Sequence, residues 1–287
     1  MAIDGLTLIG ESINDSVPST KKLFDAGQLD GIVELARFQD EKGADYIDVN
    51  VGPRSPEFMA EMVGKVQAVT EKPLSIDTPD AAIARAGLQA YDAGRAGGGK
   101  PILNSISALR TEMFELLSIQ SFRPILLCTE RMVDGQSQPC HSADDTYQAA
   151  KSLAEQARAA GLTNDDLIFD PGIAPIGADA EGNVKRLLEA LEMIAGDSEL
   201  AGVHASVGLS NFTVMLPPKR ADGSPVKSPL ESAFLTKAMP LGLDTIIGSV
   251  KRKYNVLPAD HPAMTCLTDV LANPGFDAVM RVREFYS

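Results

Sequence analysis

The chain has no tryptophan, three cysteines and few aromatic residues, and each shortage removes a class of function. With aromatic residues at only 5%, stacking on aromatic platforms is not the obvious mode of ligand capture. Cys128, Cys140 and Cys266 are too few and too scattered for a disulfide framework. They show no paired ligand spacing either, and the adjacent Cys140 and His141 have poor geometry for sharing one metal, so no metal site is expected. His204 lies inside an apolar run and reads as a hydrogen-bonded core histidine, while His261 precedes Pro262 in a turn. No apolar run is long enough to span a bilayer. The start, Met1-Ala2-Ile3-Asp4-Gly5, lacks the basic-then-apolar layout of a secretory signal, so a cytoplasmic protein is expected. Positive charge is scarce as well: 26 Lys and Arg against 39 Asp and Glu leave a net charge of −13, which argues against nucleic acid as a partner. Acidic surfaces mostly serve solubility, so the charge names no partner by itself.

What is present is a series of short apolar runs that stop at polar residues. Leu6-Thr7-Leu8-Ile9-Gly10 runs into Glu11-Ser12-Ile13-Asn14, and Tyr46-Ile47-Asp48-Val49-Asn50 into Val51-Gly52-Pro53. Leu74-Ser75-Ile76 ends in Asp77, Pro101-Ile102-Leu103 in Asn104, and Leu167-Ile168-Phe169 in Asp170-Pro171-Gly172. The run through Val207 ends in Gly208-Leu209-Ser210-Asn211. Short apolar runs of this kind read as buried parallel strands. When run after run ends in Asp or Asn, those ends converge on the side of a sheet or barrel where α/β folds place their chemistry.

Eight strand candidates emerge, at 6–9, 45–50, 73–77, 100–104, 123–128, 166–170, 201–207 and 243–247. Helical patterns fall between and after them, at 28–42, 56–71, 79–93, 109–120, 143–160, 181–195, 229–241, 262–272 and 275–285. Pro79 suits a first helical turn, and 143–160 has Ser142 or Asp144 as cap and Gly161 as stop. A doubly wound open sheet would give the same alternation. The absence of G-x-G-x-x-G after the first strand, and polar ends spread over six strands, favour a single (β/α)8 TIM barrel. Residues 1–287 are expected to form one such domain, with 214–228 as a loop over the barrel mouth.

Asp77, Asn104 and Asp170 offer four carboxylate oxygens and one amide. A flat heterocycle with an amino group, ring N–H groups and a carbonyl calls for that combination of acceptors and donor. Each residue alone would serve equally well as a helix cap, and Asn211 as an ordinary turn residue. Six motifs in order change the balance. Gly10-Glu11-Ser12-Ile13-Asn14, Asp48 to Pro53, Ile76-Asp77-Thr78, Asn104-Ser105, Asp170-Pro171 and Gly208 to Asn211 resemble the successive motifs of the pterin-binding family. More narrowly they resemble the methyltetrahydrofolate:corrinoid-protein methyltransferases, over nearly the whole chain from Leu6 to about Ile247.

That resemblance implies a TIM barrel, usually a homodimer, that moves a methyl group between N5 of tetrahydrofolate and the cobalt of a corrinoid carried by a separate protein. It implies an anaerobic setting in one-carbon metabolism or demethylation, because Co(I) is easily oxidised. Asp77, Asn104 and Asp170 would hold the pterin edge, Asn211 would sit near N5, and Gly208 and Ser210 would shape the floor beside it. Glu11, Asn14, Asp48 and Asn50 belong to matching motifs and would touch the ligand or brace residues that do. As N5 gains electron density when its methyl group leaves, an amide donor there lowers the barrier. No His stands in these motifs, so no general acid of suitable pKa is visible.

The segment Phe212 to Pro218 departs from the pattern, being longer and poorer in amides; Met215 and Leu216 are expected to pack on the rim. Lys219, Arg220 and Arg131 are cations that a folate glutamate tail would attract. Dihydropteroate synthase is the runner-up on the same fold. Its family uses an Asp-x-Gly-Gly-x-Ser-x-Arg-Pro stretch and late basic residues for pyrophosphate. Here Asp48 to Pro53 differs from that stretch, and Asn211 stands where a Lys is expected. A folate-binding subunit without turnover is the third reading.

Overall fold

Eight of the apolar runs pair in parallel and close on themselves. The computed structural model describes residues 3–287; Met1 and Ala2, cited above for the chain start, lie outside the described residues. The first half contains β1 (Thr7–Asn14), α1 (Pro18–Asp25), α2 (Leu29–Glu41), β2 (Tyr46–Asn50), α3 (Pro56–Gln67), β3 (Leu74–Asp77), α4 (Ala81–Ala90), β4 (Ile102–Ser107) and β5 (Arg123–Leu127). A hairpin, β6 (Glu130–Val133) and β7 (Gln136–Pro139), precedes α5 (Ala143–Ala159). Then come β8 (Ile168–Asp170), α6 (Asn183–Gly196), β9 (His204–Gly208), α7 (Leu209–Phe212), α8 (Lys227–Ala238), β10 (Thr245–Gly248), α9 (Pro262–Ala272) and α10 (Phe276–Tyr286). The closed order is β1-β10-β9-β8-β5-β4-β3-β2, the (β/α)8 TIM barrel expected from the alternation.

The pleat sorts each strand into two faces. Outward residues such as Ile47, Val49, Leu74, Ile76, Leu103 and Phe169 are fully buried against the helices. Inside, Ile9, Ile102, Ile125 and Ile168 form a separate apolar cluster, with Tyr46 and Ile247 packed on it. Beyond it towards the strand C-termini the inward positions turn polar. Register places Asp48 beside Ser75, Asp77 beside Asn104, and Leu127 beside Asp170.

Local chemistry explains where the helices begin and end. Ser142 caps α5 in a capping box with Asp145, and Gly161 follows at φ +95°. α4 does not start at Pro79. Asp80 Oδ1 accepts from the amides of Ala82 and Ile83 at 2.8 and 3.0 Å, and that double acceptance sets the boundary. Residues 111–118 form a 3-10 run instead of the expected α-helix; the buried Met113 and Leu116 lie three apart, matching the three-residue turn.

Three short elements were not expected: α1, the β6–β7 hairpin and the four-residue turn α7. α1 carries its signal in Pro18 at the first helical position. The β6–β7 hairpin carries its signal in Asp134-Gly135, both at positive φ (+50° and +78°), as a tight hairpin turn demands. Over the mouth, Leu216 packs as expected at 6% exposure, whereas Met215 is 67% exposed, because the chain turns there and only one of two successive side chains reaches the rim.

His204 lies at the strand N-terminal end, half-buried, with Nδ1 2.6 Å from Asp244 Oδ2 and Nε2 3.5 Å from Asp165 Oδ1. The hydrogen bond to Asp244, outweighing burial, raises its pKa above the ordinary histidine value. A raised folded-state pKa contributes stability that is fully present below the unfolded value of about 6.5 and is lost as pH rises through the folded one. Replacing Asp244 with Asn is therefore expected to lower stability by up to about 1 kcal/mol at pH 6, and by less at pH 9. Urea denaturation at the two pH values tests this; an equal loss at both excludes the histidine.

Candidate active site at the barrel mouth

A cleft of about 590 Å³ opens at the C-terminal ends of the strands. Glu11 and Asn14 reach it from β1, Asp77 from β3, Asn104 from β4, Asp170 from β8, and Gly208, Ser210 and Asn211 from the end of β9 and α7. The structure thus gathers eight of the ten sequence-derived site residues around one cavity. The other two do not line this cavity; Asn50 lines an adjoining one together with Asp77. Asn50 donates from Nδ2 to Asp77 Oδ2 at 2.9 Å and accepts from the Gly52 amide at Oδ1, also at 2.9 Å. Asp48 is fully buried alongside Ser75.

The helix-cap alternative does not account for Asp77, since Asp80 caps the helix that follows. Asp170 does shape its own turn, with Oδ1 accepting from the Gly172 amide at 2.8 Å. Asn211 sits within the four-residue helical turn α7. Gly208 leaves room for it: a Cβ there would lie 2.9 Å from Asn211 Nδ2.

The carboxyl groups are perturbed in one direction. Burial pushes Asp170 up to about 6. Burial raises Asp77 too, opposed first by the hydrogen bond from Asn50. Asp48 is raised well above the ordinary carboxylate value, first by burial and then by the charge of Asp77. Burial also raises Glu11, opposed by a hydrogen bond from Ser210 and by the charge of Arg252. The site is therefore a set of carboxyl groups held out of water, short of donors, and open to a ligand that brings N–H groups.

Arg252, after β10, is the cation that the sequence reading passed over; its signal was the basic stretch Lys251-Arg252-Lys253 just past the last strand. It donates to Glu231, which is completely buried on α8 and also accepts from Thr213 Oγ1 two residues beyond Asn211. Arg220 stacks 3.9 Å from the Phe285 ring centroid and Arg131 pairs with Asp145 at 2.6 Å, so neither faces the cleft as a free cation. A polar cavity of about 820 Å³ around Arg37, Asp40, Gln67 and Arg95 lies at the opposite end, where helices lead into strands. It contains none of the residues at the strand C-termini, and that face of a barrel serves stability. The described residues hold no group of three or more His, Cys, Asp or Glu arranged for a metal, and no helix long and apolar enough to cross a membrane.

A closed parallel barrel with a polar mouth defines a TIM-barrel fold with an enzyme-like site. Residues 13–248 match the model of the pterin-binding enzymes, and the chain belongs to that family. A methylcorrinoid:tetrahydrofolate methyltransferase from Eubacterium limosum is 27% identical over 250 residues, covering 84% of each chain. Among solved structures, dihydropteroate synthase from Burkholderia cenocepacia aligns with a TM-score of 0.58 at 18% identity, covering 95% of this chain and 93% of that one. The 7,8-dihydropteroate synthase from Vibrio fischeri ES114 gives a TM-score of 0.57 at 17% identity, over 86% and 88%. At such identities these two structures establish the shared fold.

Two outcomes are expected from the site's geometry. Gly208→Ala forces the Asn211 amide aside, and a crystal structure of the variant should show that side chain rotated while the barrel is unchanged. Ionising Asp170 costs stability as pH rises from the ordinary carboxylate range through about 6. Asp170→Asn should therefore flatten the difference in unfolding free energy between pH 5 and pH 8 by on the order of 1 kcal/mol. An unchanged difference in urea titrations would exclude Asp170 as a buried titrating group.

Proposed function

We propose that this chain is a methyltransferase that moves a methyl group between a corrinoid carried by a partner protein and N5 of tetrahydrofolate. One observation carries the reading: Asp77, Asn104 and Asp170 converge on a single cleft whose other wall holds Asn211. The carboxylates are the acceptors that a pterin's amino and ring N–H groups require, and the Asn104 amide adds both donor and acceptor capacity. Asn211 then faces the N5 side, where an amide donor stabilises the charge that develops as the N5–methyl bond breaks. The name of the Eubacterium limosum relative, a methylcorrinoid:tetrahydrofolate methyltransferase, supports the same pair of substrates.

Pyrophosphate chemistry of the dihydropteroate synthase kind is disfavoured. Asn211 occupies the place expected for a Lys, and the guanidinium of Arg252 is engaged by the buried Glu231. Residues 1–287 act as one domain in this reading. Assembly as a homodimer remains part of the proposal, with the exposed Phe276 on α10 a candidate contact.

Calorimetric titration with methyltetrahydrofolate is expected to give micromolar binding that Asp77→Ala and Asn104→Ala abolish. Asn211→Ala should keep binding and lose about 10²- to 10³-fold in single-turnover methyl transfer. A folded wild-type protein that binds no folate would overturn the reading.

A further inference from the structure

Methylating N5 of tetrahydrofolate leaves one proton to place. The N5 lone pair forms the bond to carbon, the carbon–cobalt bond breaks with its electron pair on cobalt, and the N5 proton leaves. An amide such as Asn211 cannot take it at neutral pH. In the methyl-transfer reading Asp77 and Asp170 hold the pterin edge, and each already accepts one hydrogen bond, Asp77 from Asn50 and Asp170 from the Gly172 amide.

Glu11 is the cleft carboxyl group tied to the Asn211 turn. Ser210, the residue before Asn211, donates from Oγ to Glu11 Oε1 at 2.5 Å. Among the described side chains it is the donor that Glu11 has, which leaves the second carboxylate oxygen unclaimed. The aim of Glu11 is built into the backbone. β1 carries an extra residue against β2 between Gly10 and Ile13, a bulge of the kind that re-aims a side chain. Gln39 of α2 pins it, with Oε1 accepting from the Ser12 amide at 2.8 Å. Gly10 makes the approach possible, because a Cβ there would stand 2.6 Å from the same Gln39 oxygen.

Resting on the methyl-transfer reading above, we propose that Glu11 exchanges the N5 proton. Its carboxylate takes the proton when the methyl group arrives from the corrinoid, and its carboxylic acid returns it in the reverse direction. Burial raises its pKa above the ordinary glutamate value, opposed by the hydrogen bond from Ser210 and by the charge of Arg252. The charged and titratable groups around it are Asp48 on β2, Asp77 beyond it on β3, and Arg252 and Tyr254 after β10. Ser210 after β9 and Gln39 on α2 are neutral. Burial and the charge of Asp77 push Asp48 well above the ordinary carboxylate value.

The test is single-turnover transfer from free methylcobalamin to tetrahydrofolate between pH 5.5 and 9, for wild type, Glu11→Gln, Glu11→Asp and Ser210→Ala. Calorimetric tetrahydrofolate titration and a thermal melt accompany each protein. Wild-type transfer should rise with pH as Glu11 ionises. Glu11→Gln should bind folate within about threefold of wild type, lose 10²-fold or more in rate, and lose that pH dependence. Glu11→Asp should recover part of the rate, and Ser210→Ala should move the midpoint of the profile upward because a hydrogen bond to the charged form is gone. Glu11→Gln with wild-type rate and profile overturns the proposal, as does a folded Glu11→Gln that no longer binds folate, which makes Glu11 a binding residue. A wild-type protein that neither binds folate nor transfers the methyl group overturns the methyl-transfer reading itself, and the Glu11 proposal with it.

Discussion

Carboxyl groups held out of water at the mouth of a closed barrel are the constraint on which this structure depends. A carboxylate deprived of water and of donors is costly, and the cost appears as upward pKa shifts at Glu11, Asp48, Asp77 and Asp170. The fold tolerates this because the layer beneath is apolar and tightly filled. Ile9, Ile102, Ile125 and Ile168 close the barrel interior, and the outward strand residues bury themselves against the helices. The destabilising groups occupy the end where a ligand can supply the missing hydrogen bonds, which is where active sites of this fold lie.

Partial compensation is built in, and each case has its own geometry. Asn50 donates to Asp77, while burial and the charge of Asp77 raise Asp48 beside it well above the ordinary carboxylate value. Asp170 takes a backbone amide from its own turn, and Glu11 takes the hydroxyl of Ser210. Arg252 is spent on the buried Glu231, so the cleft keeps its acidic character although a guanidinium stands close by. That arrangement suits a neutral heterocycle rich in N–H donors better than an anionic leaving group.

Much of the site was legible in the sequence because strands alternate faces and end abruptly. Asp77, Asn104 and Asp170 each terminate an apolar run, and parallel pairing alone brings such ends to one side. All eight barrel strands were legible as short apolar runs. The Asp134-Gly135 hairpin and Pro18 helix start were encoded locally and overlooked in a stretch that otherwise reads as polar loop. The 3-10 run at 111–118 was not legible, because apolar pairs three apart, Met113 with Leu116 and Phe114 with Leu117, fit either helix type.

Sequence by itself determined the parallel barrel, the polar strand ends and the residues that carry the family motifs, since all of these follow from periodicity and order along the chain. Tertiary structure alone decided which polar residues share a wall. The bulge that turns Glu11 inward depends on Gln39, 28 positions further on, and its bond to Ser210 spans 199 residues. The Arg252–Glu231 pair and the upward shift at Asp48 are likewise products of burial and closure. Hydrogen bonds and desolvation act through space, so no pattern of neighbours along the chain could have assigned them.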